Sequence, residues 1–215
     1  MLRVNSMDII IEKLKKALKQ NNITVFYASK KEEIPSIVKD IVPQGAVVSC
    51  GGSVSLSDSG VAALLKSGYY EFLDRSTAEN PEEIYRKTFA CDAFFTSANA
   101  VTQDGILYNV DGRANRVAAT CFGPKEVIYV IGKNKIVDNF DAAVRRVKTI
   151  AAPKNTVRLG LDTPCAKLGH CCVMDGGIGT GCKSENRICV NFVATAFQRQ
   201  KDKVKVILCE DNLGY

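Results

Sequence analysis

Apolar positions in this chain come in short runs, separated by polar stretches in which they recur at helical spacing. Ile10, Leu14, Ala17 and Leu18 fall on one face among lysines, which predicts an amphipathic helix over Ile9–Leu18. Ile23–Ala28 reads as a strand and Lys31–Ile41 as a helix that tolerates Pro35 in its first turn. Ala46–Ser49 reads as a buried strand, followed by a helix capped by Ser57 or Asp58, running through Leu65 and stopped by Gly68. The pattern continues with strands at Tyr69–Leu73, Ala93–Thr96 and Glu126–Ile131, and helices at Glu82–Ala90 and Asp141–Ile150, the latter ending before Pro153. Val157–Leu161, Ile188–Phe197 and Val204–Cys209 are further strand candidates. Such alternation predicts an α/β fold of three layers, a mainly parallel sheet with helices on both faces. Two stretches break the rhythm. Ile106–Val110, Asp111-Gly112 and Val117–Thr120 read as a hairpin with a tight turn. Thr163–Arg187 is rich in Cys and Gly, has no period, and reads as a loop inserted into a single domain spanning 1–215.

Composition narrows the function classes. A chain of 215 residues with 46% hydrophobic and 24% charged positions is long enough to bury a core without covalent help. The net charge of +6 favours anionic ligands, but its lysines and arginines are scattered among acids. They form no stripe of basic and aromatic residues, so nucleic acid is not an expected partner. No run approaches the ~18 apolar residues of a membrane span. Met1–Gln20 lacks a signal peptide's order of charge, apolar run and cleavage site, so a cytoplasmic location is expected. The nine cysteines are then thiols or metal ligands rather than a disulfide framework. Cys50, Cys91, Cys121 and Cys209, in strand or helix settings, read as core thiols.

Three constellations carry candidate chemistry. Gly51-Gly52-Ser53-Val54-Ser55 joins a strand to a helix, where backbone N–H groups and the Ser53 and Ser55 hydroxyls can meet an anion; a serine-capped turn is the alternative. The second constellation follows the Ala93–Thr96 strand. Arg113 and Arg116 suit a carboxylate or phosphate clamp, and Asp104 and Asp111 are candidate proton carriers. Asn99, Asn109 and Asn115 are placed to orient a substrate, although Asp111-Gly112 also suits a plain turn. Third, Cys165, Cys171, Cys172, Cys182 and Cys189 crowd one loop whose glycines let it fold back. Cys165, Cys171, Cys182 and Cys189 are the candidate ligands of zinc or an iron–sulfur cluster, with Cys172 or His170 as substitutes. No nicotinamide fingerprint is present, since Gly51-Gly52-Ser53-Val54-Ser55-Leu56 lacks the G-x-G-x-x-G spacing.

Together these segments resemble the LUD, or lactate-utilisation, domain family. The resemblance is carried by Gly51-Gly52-Ser53, Asn99-Ala100-Val101-Thr102, Asp104-Gly105, Asn109-Val110-Asp111-Gly112 and Asn115-Arg116-Val117. It continues through Phe122-Gly123-Pro124, Gly132-Lys133-Asn134-Lys135-Ile136, Ala152-Pro153, Thr163-Pro164-Cys165 and Arg187-Ile188-Cys189. It implies a fold like that of glucosamine-phosphate deaminase, ribose-phosphate isomerase and CoA transferases. It also implies a subunit of a lactate (2-hydroxy-acid) oxidising system that works beside iron–sulfur subunits, with a small organic acid or phosphosugar as ligand. A homo-oligomer fits this reading. Two departures qualify the resemblance. The family's C-x5-C-x2-C-x6-C pattern is interrupted, with ten residues between Cys171 and Cys182. Gln103 stands where an acidic residue is common, which argues against CoA transfer and its glutamate nucleophile. The competing readings are a stand-alone isomerase- or transferase-like enzyme on phosphosugars or acyl esters, and a non-catalytic protein with a zinc-stabilised docking loop.

Overall fold

A computed structural model describes residues 6–215; the first five residues, where the expected absence of a signal peptide begins, lie outside the described part. Helix α1 (Ser6–Gln20) leads into β1 (Thr24–Ala28), and a short 3-10 turn precedes α2 (Ile34–Ile41). Next come β2 (Val47–Cys50), α3 (Val54–Asp58), α4 (Val61–Leu65), β3 (Glu71–Phe72), α5 (Pro81–Thr88) and β4 (Ala93–Thr96). The middle of the chain holds β5 (Ala100–Thr102), β6 (Leu107–Asp111), α6 (Asn115–Cys121), β7 (Glu126–Gly132) and β8 (Ile136–Val137). It ends with α7 (Phe140–Arg146), α8 (Ala152–Arg158), α9 (Pro164–Leu168), β9 (Asn191–Thr195) and β10 (Val204–Cys209).

Six strands form one wholly parallel sheet in the order β1-β10-β7-β4-β2-β3. Its central strand β7 is buried on both sides, and alternate residues serve two different cores. Ile128 and Val130 pack with Ile34, Val38, Leu56, Val61 and Leu65 of α2–α4 on one face. Val127, Tyr129 and Ile131 pack on the other with Leu14 and Leu18 of α1 and Ala119 of α6. A second sheet, β8-β5-β6-β9, lies over that latter face through Val101 and Leu107. Its far side, Ala100, Tyr108 and Val110, is covered by Ala143, Val147 and Ala152. The layered, mainly parallel α/β architecture is therefore the expected one.

Local readings differ in four places, each for a physical reason. The hairpin is β5–β6, paired antiparallel and closed through Gly105 at φ 87°. That glycine is needed twice over, because a Cβ there would stand 3.1 Å from the α1 backbone at Ala17 and Leu18. Asp111-Gly112 instead opens a turn ahead of α6: the Asp111 Oδ1 accepts from the Arg113 and Ala114 amides at 3.0 Å each, Ala114 takes φ 66°, and the chain from Asn115, Val117–Thr120 included, is helical. The helix expected from Ser57 or Asp58 starts earlier, after Ser53, and is split at Gly60, whose φ of 75° interrupts α-helical geometry. Val157–Leu161 is the end of α8 and a turn, not a strand, because the helix does not stop before Pro153. A π turn over Val147–Ala151 absorbs one extra residue, and Pro153 falls in the first turn of α8, where its missing N–H costs little. Of the expected core thiols, Cys91 and Cys209 are buried and Cys50 is half-buried, whereas Cys121, at the end of α6, is exposed. No helix among the described residues is long and apolar enough to cross a membrane.

Candidate functional site

The chain leaves β2 towards one face of the parallel sheet, as α3 and α4, and leaves β4 towards the other, as β5 and β6. Neighbouring parallel strands whose connections diverge in this way open a crevice at their C-terminal ends. Here that crevice is an open cavity of about 270 Å³. Its wall is built from the turns after β2 (Gly52–Ser55), β3 (Arg75), β4 (Ser97–Asn99), β6 (Val110–Arg116) and β7 (Lys135). The last turns of α8 (Asn155, Arg158) and the C-terminal Tyr215 complete it. Five cationic side chains, Arg75, Arg113, Arg116, Lys135 and Arg158, face one carboxylate, Asp111.

Arg116 organises the wall. Its Nε donates to Asp111 Oδ2 at 3.0 Å, one Nη to Asn109 Oδ1 at 2.6 Å, and the other to the Val110 carbonyl at 2.7 Å. Longer bonds of 3.4 Å reach Asn99 Oδ1 and the Ser97 carbonyl. The Arg116–Asp111 pair is largely withdrawn from solvent, at 13% and 11% side-chain exposure, so its geometry has to be met from all sides. Gly51 makes the room: a Cβ at that position would sit 2.7 Å from Arg116 Cδ and 2.9 Å from Cγ. The first glycine of Gly51-Gly52 thus accommodates a side chain of this protein. The second lies beside Arg75, whose Nη2 would be 3.1 Å from a Cβ at Gly52.

Lys135 closes the floor and is 4% exposed. Its Nζ donates to Ser55 Oγ at 2.8 Å, Ser97 Oγ at 3.0 Å and the Ala98 carbonyl at 3.2 Å. Burial, with the nearby Arg146 and Arg116 charges, pulls its pKa down to about 7 against a weak opposing pull from Asp58. About half of the amine is therefore unprotonated at neutral pH, and in that form its two N–H groups are shared among these three partners. Arg146 fixes the loop that carries it, donating to the Asn134 carbonyl at 3.1 Å and to the Asn99 carbonyl at 2.5 Å. The remaining cations have more open surroundings. Arg75 bonds only a carbonyl, that of Cys50 at 2.9 Å, and lies against the Tyr85 ring. Arg158 bonds the neutral Asn155 Oδ1 and Tyr215 hydroxyl, while Arg113 is ion-paired with Glu82 and exposed.

The structure gathers most of the residues singled out in the sequence. Gly52, Ser53, Ser55, Asn99, Asp111, Arg113, Asn115 and Arg116 line the cavity. Gly51 and Asn109 stand behind it, Gly51 as the space for Arg116 and Asn109, wholly buried, as its hydrogen-bond partner. Asp111 has both oxygens engaged, one in the turn into α6 and one on Arg116. Asp104 is not brought to the cavity: it lies exposed in the β5–β6 turn, where it accepts from Thr102 Oγ1. Helix α3 has only five residues, so the field at the Gly51–Ser55 junction comes from side-chain cations more than from a helix dipole. Arg75, Tyr85, Lys135, Arg158 and Tyr215 were not foreseen. Only Lys135 carried a signal, within Gly132-Lys133-Asn134-Lys135; the others reach the cavity from turns and ends remote in sequence.

A second, small cavity, of about 40 Å³, is lined by Cys165, Cys171, Cys172, Cys182 and Cys189, while His170 lies exposed outside it. Its other walls include Tyr108, Val144 and Phe192, with the cations Lys148 and Arg187. The π turn shapes one side, where the Lys148 carbonyl accepts from the Cys171 amide at 2.7 Å. Arg187 ties the loop down by donating to the carbonyls of Cys189 at 2.7 Å and Cys182 at 3.0 Å. Burial first, then the neighbouring thiols, pushes the Cys189 thiol up to about 11. Among the described residues no three Cys, His, Asp or Glu side chains are already gathered as a single-ion site. Ile188 lines both this cavity and the cationic one.

The fold and site define an α/β protein with a cationic, ligand-sized crevice at the C-terminal edge of a parallel sheet. The family model described as the LUD domain matches residues 11–209, and the chain belongs to that family. Among solved structures it is similar to a DUF162 family protein from Deinococcus radiodurans, at 14% identity and a TM-score of 0.56, over 97% of this chain and 100% of that one. This likeness extends over the whole fold. Weaker matches are eIF2B delta from Chaetomium thermophilum (16% identity, TM-score 0.36, 60% of this chain and 52% of that one) and ribose 5-phosphate isomerase from Plasmodium falciparum (16%, 0.32, 51% and 53%). No curated protein matches the chain.

Proposed function

We propose that this lactate-utilisation-type protein binds a small organic anion, a 2-hydroxy or 2-oxo carboxylate, as a subunit of a 2-hydroxy-acid oxidising system. The observation that carries the reading is the charge of the crevice, in which four arginines face a single carboxylate that one of them already neutralises. Arg75 and Arg158, whose hydrogen-bond partners are neutral, are the groups to hold the carboxylate, with Arg113 at the rim. Ser53, Asn99 and Asn115 supply hydrogen bonds that tell a hydroxyl from a carbonyl. Isothermal calorimetry with lactate, pyruvate and ribose 5-phosphate is the test. Losing one charge-assisted bond removes roughly 1.5–3 kcal/mol, so Arg158→Ala and Arg75→Ala should each weaken carboxylate binding about tenfold or more. Unchanged affinity in both variants, or no binding of any carboxylate, would overturn the reading.

We propose further that the thiol loop takes up an iron–sulfur cluster, with zinc as the alternative. Five thiols line one small, partly open space of about 40 Å³, which the glycine-bearing loop must widen to admit a cluster, and Lys148 and Arg187 stand ready to offset the negative charge of thiolate ligands. Cys165, Cys171, Cys182 and Cys189 would hold it, with Cys172 in reserve; it would supply a one-electron acceptor. Because a buried thiol such as Cys189 resists ionisation, ligation must expel protons and should weaken below neutral pH. Anaerobic reconstitution with iron and sulfide should give a brown protein, and replacing these four cysteines by serine should abolish the colour. A wild type that stays colourless and takes up zinc alone would favour a structural loop. Partner iron–sulfur subunits would then be sought by co-purification, and a homo-oligomer by light scattering.

A further inference from the structure

Lys135 is a buried amine that neither carboxylate binding nor the thiol loop uses, and it has no acidic partner in hydrogen-bond range. A lysine kept for stability alone would be expected to face a carboxylate, since burying an unpaired ammonium is costly. Here the groups around the amine are two serine hydroxyls and a carbonyl, and Ser55, Ser97 and Lys135 all line the cationic crevice. The charged groups facing it from the packed elements are Arg116 on α6 and Arg146 on α7, with Asp58 at the end of α3 as the one weak counterweight. Desolvation and neighbouring cations are the two conditions that turn a lysine into a nucleophile.

We propose that Lys135 forms an imine with the carbonyl carbon of a 2-oxo carboxylate held in this crevice. The inference rests on the anion-binding reading and adds a covalent step to it. The neutral Nζ lone pair adds to the C2 carbonyl carbon, and the carbonyl π electrons move to oxygen. A proton passes from nitrogen to that oxygen, with the Ser97 hydroxyl as relay, to give the carbinolamine. A second proton transfer from nitrogen to the hydroxyl expels water and leaves the C=N bond. No oxidant or reductant takes part. Arg75 and Arg158 hold the carboxylate, while burial with Arg146 and Arg116 keeps the amine unprotonated, so that recognition and activation use separate arginines around one crevice. A 2-hydroxy acid has no carbonyl carbon at C2 and would bind there without reacting, so the lysine discriminates the 2-oxo from the 2-hydroxy form.

The test is reductive trapping on the full chain. Protein is incubated at pH 7.5 with glyoxylate or pyruvate and sodium cyanoborohydride, which reduces the imine to a stable secondary amine, and is then mapped by peptide mass spectrometry. The expected result is one adduct, at Lys135, formed at least tenfold faster than on any surface lysine and with a rate that rises to a plateau near neutral pH. Lactate should compete with the labelling, and Ser97→Ala should slow it while leaving the adduct at the same residue. Lys135→Met and Lys135→Arg should both lack the adduct. Labelling spread over surface lysines, or a Lys135 that stays unmodified while calorimetry shows pyruvate bound, would overturn the imine and leave the anion pocket standing. Absence of both binding and adduct would overturn the two together.

Discussion

Replacing Arg116 by alanine is expected to cost about 3–5 kcal/mol, the range for breaking one side of a buried ion pair and leaving the other uncompensated. The loss is large because one guanidinium serves Asp111, Asn109 and Val110 at 3.0 Å or less, joining α6 to the end of β6, and reaches the turn after β4 through longer bonds of 3.4 Å. Thermal denaturation should show a fall in Tm of roughly 10 °C, given about 2–4 °C per kcal/mol for a chain of this length. Asp111→Ala should cost a similar amount, and the double variant less than the two losses added, since each single change strands the same partner. Gly51→Val should reproduce part of the effect without touching either charge, because its Cβ would lie 2.7 Å from Arg116 Cδ. A cost below about 1 kcal/mol for Arg116→Ala would mean that the pair is screened by water and that the wall does not depend on it.

The second large effect concerns Lys135 and pH. In the unfolded chain its amine titrates near the ordinary 10.5, whereas in the fold it does so near 7. Between these values the unfolded state binds more protons, so stability increases as pH rises from about 7 towards 10.5, and the full penalty is present below 7. Lys135→Met removes the term. The stability of the wild type relative to Lys135→Met should therefore improve by up to about 1.4 kcal/mol per pH unit over this window, measured by urea denaturation at about pH 7, 8 and 9. The comparison cancels other titrations, notably the Cys50, Cys91 and Cys189 thiols. Their folded values, raised to about 11 from 9.0, reduce stability above pH 9 in both proteins. A difference that stays flat with pH would show the ammonium charged in the folded state, with its cost met by the two serines.

The alternation of short apolar runs with helical periods was enough for the layered α/β architecture, because strands such as Ala93–Thr96 and Val204–Cys209 are buried on both faces. It failed where one residue's backbone decides the outcome. Asp111-Gly112 carries the composition of a hairpin turn, and only the partners of the Asp111 carboxylate reveal a turn that leads into a helix instead of a strand. Pro153 is a stop signal in any local reading, and nothing nearby announces a π turn that moves it to a harmless position. The site followed the same rule. Residues clustered in sequence, from Asn99 to Arg116, were legible; Arg75, Arg158 and Tyr215 converge only through topology. Asp104 looked chemical because it neighbours those residues in sequence, yet the hairpin carries it to the opposite end of β5 and β6.

The π turn also sets the rotational phase of α8. That helix shows Ala152 and Thr156 to the thiol cavity, and Asn155, Arg158 and Leu159 to the cationic one. Each residue advances a helix by about 100°, so one residue more or fewer in Val147–Ala151 would rotate every later side chain by more than a quarter turn. Arg158 would no longer face its crevice, and Thr156 would leave the neighbourhood of Cys165, 3.6 Å away in this arrangement. The insertion thus works as an indexing step. It permits a single short rod to address two chambers, and it makes this segment intolerant of length changes even where substitutions are harmless.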